Sequence, residues 1–468
     1  MPSNDSAAAE HPAVAKLRAA DAGEPAVVAF TRAIERVVAG DLGLLREEDI
    51  EPVEELPDAA ELAAPDLADA AATLDQAVVV KLNGGLGTSM GLSGPKALLP
   101  VKEGLTFLDV ISRQVLHLRE QTGARLPLVL MHSFATQEPS LAALAAHDGL
   151  ADQDVAQDFL QGKVPKLRAD DLEPVEHAAA SDLEWAPPGH GDLYTSLVSS
   201  GMLSSLLEGG YRYAFVSNAD NLGAVLDPAL LSWFAEEGAP FVMEVADRSA
   251  SDRKGGHLAR RKKGGLVLRE LAQAHDEDAE SFQDIDRHRF FNTNNLWVDL
   301  QALDAALEAA GGALDLPVMV NRKTVDPKDA GSEPVLQLET AMGAAIDVWD
   351  GAQAIRVPRL RYAPVKTTND LLAVRSDAFV LTDGSRVQLA PERDGRPPVV
   401  DLDAEHFKFV DAFEERFPAG PPSLVDCERL EVEGDVAFGA GVVVRGTARV
   451  EHAGPGRLEI APGTVLGD

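Results

Sequence analysis

An α/β domain on a mostly parallel sheet, followed by a short left-handed parallel β-helix, is the fold the sequence predicts. Three observations predict it. Apolar strand candidates alternate with amphipathic segments over about 300 residues, the pattern of strand–helix–strand units. One of these strands runs straight into a glycine-rich loop. Near the C-terminus, apolar residues return every six positions.

Residues 1–75 read as an acidic N-terminal helical region. Stretches such as "EEDIEPVEELPDAAELAAPDLADAAATLDQ" suit short helices with solvated acidic faces, and the first stretch is expected to be mobile. Residues 76–385 form the α/β domain. Its strand candidates are "QAVVVKL", "LPLVLMHS", "YRYAFVSN", "APFVMEV" and "NTNNLWVDL", with helices expected over "TFLDVISRQVLHLREQ" and "LYTSLVSSGMLSSLLEGG". Residues 386–468 make a C-terminal domain. There Leu430, Val436, Val442 and Ala448 are spaced by six, as are Val432, Phe438, Val444 and Val450, with glycines between them. Two inward apolar positions per six residues mark a hexapeptide β-helix. A β-meander with regular turns is the alternative.

The composition narrows the function. The 468 residues exceed one compact domain. Forty-two Lys+Arg stand against 76 Asp+Glu, a net charge of −34. Such a surface repels nucleic acid and anionic membranes, so neither is an expected partner. No apolar run approaches the roughly 18 residues of a membrane helix, and the N-terminus lacks a secretory pattern. The single cysteine, Cys427, excludes an internal disulfide framework and a cysteine-based metal site. A cytoplasmic protein fits these features. A polyphosphate ligand would need local lysines or a divalent cation against this field.

"KLNGGLGTSMGLSGPK" holds five glycines after the strand "AVVV". A loop at a strand's carboxyl end is where open α/β sheets bind ligands. Gly84, Gly85 and Gly87 can adopt unusual φ values and turn backbone N–H groups toward an anion. A tight turn without ligand is the plainer reading. Two familiar motifs fail here. Lys96 follows Gly94-Pro95 and precedes Ala97, unlike a P-loop, and Gly85, Gly87 and Gly91 are spaced G-x-G-x-x-x-G, unlike the dinucleotide fingerprint.

The longer pattern "LNGGLGTSMG…GPK" resembles the opening of the UTP–glucose-1-phosphate uridylyltransferases. The likeness continues through "FLQGKVPKL", "PPGHGDLYTSL", "FVSNADNLG", "DRKGGHLARRKKGGLVLRELAQ", "FFNTNNLW", "LQLETAMGAAI" and "VPRLRYAPVKTTNDLL", over roughly residues 76–466. The resemblance implies a Rossmann-like nucleotidyltransferase (nucleotide-diphospho-sugar transferase) domain. The implied reaction takes UTP and glucose 1-phosphate to UDP-glucose and pyrophosphate, assisted by Mg²⁺.

It also implies roles for individual residues. Leu82, Asn83, Gly84 and Gly85 would cradle the nucleotide through backbone contacts, with Gly84 and Gly85 also near the sugar phosphate. Lys96 and Lys366 would neutralise phosphates, and Gln161 would read uracil with an amide, beside Gly189. His190, on a turn between glycines, would donate to the sugar phosphate and not act as a base. Asp220 would hold the metal and Asn218 would reach the sugar. Strand alternation places Asn292 and Asn294 on one face and Asn295 on the other, and Asn294 is the sugar-binding candidate. Lys366 precedes a helix that Thr368 or Asn369 could cap. The β-helix is the element through which copies of the chain would associate. N-acetylhexosamine 1-phosphate or galactose 1-phosphate remains an alternative substrate. More distant are a nicotinamide-dependent oxidoreductase and a non-catalytic scaffold.

Overall fold

The computed structural model describes residues 10–151 and 154–467. The mobility expected of the first stretch falls on residues 1–9, which lie outside the described residues.

The chain divides into two compact units, each discontinuous in sequence. The first takes residues up to Ala59, Phe159–Ala214 and Phe234–Arg356. The second takes Ala60–Asp158, Phe215–Trp233 and the residues from Val357 onward. One strand, Tyr213–Asn218, contains a crossing point between them.

In the first unit, Phe290–Asp299 is the longest strand and pairs antiparallel with Phe241–Asp247, which pairs parallel with Gln353–Arg356. His257–Arg261 pairs antiparallel with Leu266–Arg269 and with the short N-terminal strand Ile50–Pro52. The sheet is therefore mixed and not mostly parallel. One of its antiparallel pairs is the hairpin "HLARRKKGGLVLR", where two adjacent glycines with positive φ, Gly264 and Gly265, turn the chain back on itself. Helix Glu24–Val38 buries Val27, Phe30, Ile34 and Val37, spaced for one helical face, against Val164, Leu167, Leu336 and Leu338.

In the second unit, Ala77–Asn83 pairs parallel with Leu128–His132, and both are almost wholly buried. A strand buried on both faces reads as a continuous apolar run. Helix Phe107–Thr122 begins with a capping box between Thr106 and Asp109 and ends at Gly123, whose φ is +69°. The second expected helix, in the first unit, is two: Gly201, φ +77°, separates Asp192–Ser199 from Met202–Glu208.

The C-terminal strands are parallel. Val399–Leu402, Cys427–Glu433, Val443–Glu451 and Val465–Gly467 lie in order, and Val436–Phe438 pairs with Leu458–Ile460. All eight residues of the six-residue repeat are buried. Leu430 pairs with Ala448 and Val432 with Val450, a step of three repeats. Among the described residues, no helix is long and apolar enough to cross a membrane.

Candidate active site

In the second unit, three segments meet at strand carboxyl ends. The strand Ala77–Asn83 delivers Leu82 and Asn83 to its end, and Ala219 donates its N–H to the Leu82 carbonyl at 3.0 Å. That bond brings Asn218, the last residue of its strand, and Asp220 to the start of the glycine loop. The Val365 N–H donates to the Asp220 carbonyl at 3.1 Å, and the Asn221 amide oxygen accepts from Ala363 at 2.9 Å. Lys366 is thereby fixed beside the same corner.

The loop's glycines differ from expectation. Gly87 has a φ of +63° and Gly91 of +79°, whereas Gly84 and Gly85 are not in the positive-φ region. Gly87 is needed for the fold of the loop, since a Cβ there would meet the Leu92 side chain at 2.7 Å and the Lys96 Cβ at 3.3 Å. A Cβ on Gly85 would meet no protein atom within 4 Å, so its absence leaves the backbone open. The Asn83 side chain is buried, donating to Ser140 Oγ at 2.9 Å, so only its backbone can face a ligand.

Lys96 closes the loop. Its N–H donates to the Gly85 carbonyl at 3.0 Å, and its Nζ pairs with Asp220 Oδ2 at 2.7 Å. Lys366 Nζ donates to the Tyr362 hydroxyl at 3.1 Å. Burial pulls the Lys366 ammonium down, but the Tyr362 hydroxyl and the Asp220 and Asp370 carboxylates outweigh it and hold its pKa above the ordinary lysine value. Thr367, not Thr368 or Asn369, caps the following helix Thr368–Arg375, because Asp370 completes a capping box with it. The Asp370 carboxylate also accepts the Lys366 N–H at 2.8 Å.

The first unit holds the remaining candidates. Gln161 Nε2 donates to the Gly189 carbonyl at 3.0 Å, and the Gly162 N–H donates to Asp192 Oδ2 at 2.7 Å. The histidine turn is clamped by Thr340. Gly191 donates to the Thr340 carbonyl at 2.8 Å, Thr340 donates to the Pro188 carbonyl at 2.9 Å, and a Cβ on Gly189 would lie 2.4 Å from the Thr340 oxygen. The φ of +82° at Gly189 excludes other residues on the same ground.

Met342 donates its N–H to His190 Nδ1 at 3.0 Å. That nitrogen must then be the acceptor, so the neutral ring carries its proton on Nε2. Burial pushes the His190 pKa down to about 4, which keeps the ring neutral at physiological pH. A neutral imidazole with Nε2–H is a hydrogen-bond donor.

Asn294 has a φ of +57° within the strand Phe290–Asp299. The pairing register slips here: Asn295 opposes Glu244 while Asn292 opposes Val245. The bulge interrupts the regular alternation, but Asn292 Nδ2 still donates to Asn294 Oδ1 at 2.9 Å, so the two share a side. Asn295 turns to Glu244 at 2.9 Å and is fully buried. Asn294 alone of the three is half-buried.

Asp192 and Thr340 in the first unit, and Tyr362 and Asp370 in the second, hold the candidate residues of their own unit but were not singled out from the sequence. Only the last carried a local signal, the Thr-x-x-Asp spacing of a capping box.

A glycine loop, two lysines and an acid at strand carboxyl ends are the equipment of a phosphate-handling α/β enzyme. The model of the UTP–glucose-1-phosphate uridylyltransferase family matches residues 28–445. The uridylyltransferase of Solanum tuberosum is 41% identical over 403 residues, covering 86% of this chain and 82% of that protein. A UDP-glucose pyrophosphorylase variant from Leishmania major, solved in complex with UDP-glucose, is 45% identical with a TM-score of 0.91, covering 98% of both chains. A Trypanosoma brucei structure named UDP-glucose phosphorylase is 47% identical with a TM-score of 0.88, covering 97% of both. This chain belongs to the UTP–glucose-1-phosphate uridylyltransferase family.

Proposed function

We propose that this chain transfers the uridylyl group of UTP to glucose 1-phosphate. A phosphate oxygen of the sugar phosphate attacks the α-phosphorus of UTP, and the bond to the pyrophosphate bridge oxygen breaks as the new bond forms. UDP-glucose and pyrophosphate result. The observation that carries the reading is the convergence of Lys96, Asp220 and Lys366 on one corner of the second unit, at the end of the glycine loop, in a chain of this family.

The reaction brings two polyanions together, so the protein must position and neutralise them. Lys366 stays protonated for that purpose, and Lys96 is tethered at the mouth of the loop. The attacking phosphate monoester needs no deprotonation at neutral pH. A neutral His190 presenting Nε2–H suits it as a donor. Leu82, Asn83, Gly84 and Gly85 offer backbone to the nucleotide, Gln161 and Gly189 serve the uridine side, and Asn218 and Asn294 serve the sugar.

Mg²⁺ fits Asp220. Its Oδ1 takes no hydrogen bond among the described residues, and those residues contain no cluster of three His, Cys, Asp or Glu that could hold a metal. One carboxylate plus substrate phosphates and water is how Mg²⁺ is commonly bound. The cation would supply charge neutralisation at the phosphates.

The C-terminal parallel strands are read as a left-handed β-helix. The register step of three six-residue repeats supports this. Self-association through that element is the assembly mode proposed with it.

Pyrophosphate release tests the reading, with UTP and Mg²⁺ and either glucose 1-phosphate or N-acetylglucosamine 1-phosphate. Release with the glucose ester is expected. Release only with the N-acetyl ester would move the substrate, and silence with both would sink the proposal.

A further inference from the structure

Phe409 lies far along the chain from the glycine loop, yet its ring rests on it. A Cβ built on Gly91 would meet Phe409 Cδ1 at 2.9 Å, Cβ at 3.1 Å and Cγ at 3.2 Å. The ring is 49% exposed, so hydrophobic burial accounts for little of its placement. Gly91 ends the short turn Thr88–Met90, and the N–H groups of Met90 and, just past Gly91, Leu92 both return to the Gly87 carbonyl. The ring thus covers the point where the loop reverses before running to Lys96.

The support behind Phe409 is a packed aromatic chain. It caps helix Val410–Arg416, which buries Val410, Phe413 and Arg416. Phe413 packs on Phe417 at 4.8 Å, and Phe417 stacks on Phe438 of the six-residue repeat at 5.0 Å. The same helix is braced to the other phosphate-binding element. Arg375, the last residue of the helix that follows Lys366, donates to Glu414 at 2.6 Å and to the Pro100 carbonyl at 2.8 Å, just beyond Lys96. Its guanidinium also lies 5.7 Å from the Phe413 ring centre.

We propose that Phe409 is a positioning residue for the nucleotide: it holds Gly91, and with it the glycine loop, in a fixed place relative to the Lys366 helix. The C-terminal repeat thereby sets the geometry of the phosphate site through one aromatic contact. This rests on the reading that the loop receives the triphosphate.

The test pairs steady-state kinetics with amide hydrogen exchange in the full chain. Phe409→Ala is expected to raise the apparent KM for UTP roughly tenfold. The KM for glucose 1-phosphate should stay within about twofold, and the melting temperature should be unchanged, as the ring is half in water. Phe409→Leu, which keeps apolar cover over Gly91, should recover most of the loss. Without nucleotide, the amides of residues 87–92 should exchange faster in Phe409→Ala. A wild-type KM for UTP, an equal rise in both KM values with a lowered melting temperature, or unchanged exchange at 87–92 would each overturn the proposal. Failure of the wild-type protein to release pyrophosphate would instead remove the proposed function, while the exchange comparison still decides whether Phe409 holds the loop.

Discussion

Around Asp220 the chain gathers two ammonium groups and the carboxylates of Asp220 and Asp370, with backbone bonds from Ala219 and Val365 tying the segments together. Around His190 the hydrogen-bonding groups are neutral, apart from the buried Asp192 carboxyl two residues on. There a neutral ring, a glutamine amide and a clamped glycine turn are pinned by Thr340 and Met342. The two regions therefore solve different problems. The first must offset the charge of phosphates within a chain of net charge −34. The second must discriminate among neutral hydrogen-bonding groups, which requires fixed donors and acceptors and not charge. Substitutions in the first should act on turnover and metal demand, and those in the second on affinity for one substrate.

The largest expected effect is at Lys366. Lys366→Ala should lower kcat by two to three orders of magnitude, about 3 kcal/mol of transition-state stabilisation. Its circular dichroism melt should match the wild type, because the side chain is exposed and its ammonium bonds to the Tyr362 hydroxyl, not to the backbone of a neighbouring element. A collapsed melt would make this lysine structural and erase the contrast. Asp220→Asn comes next. The Mg²⁺ concentration for half-maximal rate should rise about tenfold, the weight of one carboxylate ligand to a hard cation. An unchanged Mg²⁺ titration would place the metal elsewhere.

In the other region, Asn294→Gly keeps the left-handed backbone but removes the amide. The KM for glucose 1-phosphate should rise roughly tenfold while that for UTP stays put. Equal changes in both would mean that Asn294 shapes the strand and does not read the sugar. The smallest effect is at Asp192, whose carboxyl is pushed up to about 6 by burial despite bonds from Ser196 and Gly162. The folded protein keeps this proton up to about pH 6, where the unfolded chain has already lost it, so stability falls as pH rises from the ordinary carboxylate range to about 6 and stays lower above it. Asp192→Asn should therefore raise stability at pH 7.5 by roughly 1 kcal/mol, with the gain gone by pH 4. Thermal melts of both proteins across that range check the sign.

Patterns that repeat or run along one strand were legible before the structure. "AVVVKL" and "YRYAFVSN" fold as the strands read, and the apolar positions of the C-terminal six-residue spacing are buried on parallel strands, because their signal is the burial of neighbouring side chains. Contacts between distant segments were not legible. Nothing local to Thr340 announces that its backbone will clamp Gly191, and nothing local to Asp192 announces Gly162. The bulge at Asn294 escaped for a related reason: period-two alternation cannot reveal a register slip set by the partner strand. The mixed sheet is the same kind of miss, since strand direction depends on which segments pair.

The interleaving of the two units has a consequence for synthesis. Every segment of the first unit has been made once Arg356 is added, whereas the second still awaits the residues from Val357 onward. A nascent chain at that point carries the histidine turn and the Asn294 strand, but neither Lys366 nor Phe409. Of the two lysines, Lys96 is thus made early with the rest of the glycine loop, and Lys366 arrives only after the histidine turn and the Asn294 strand.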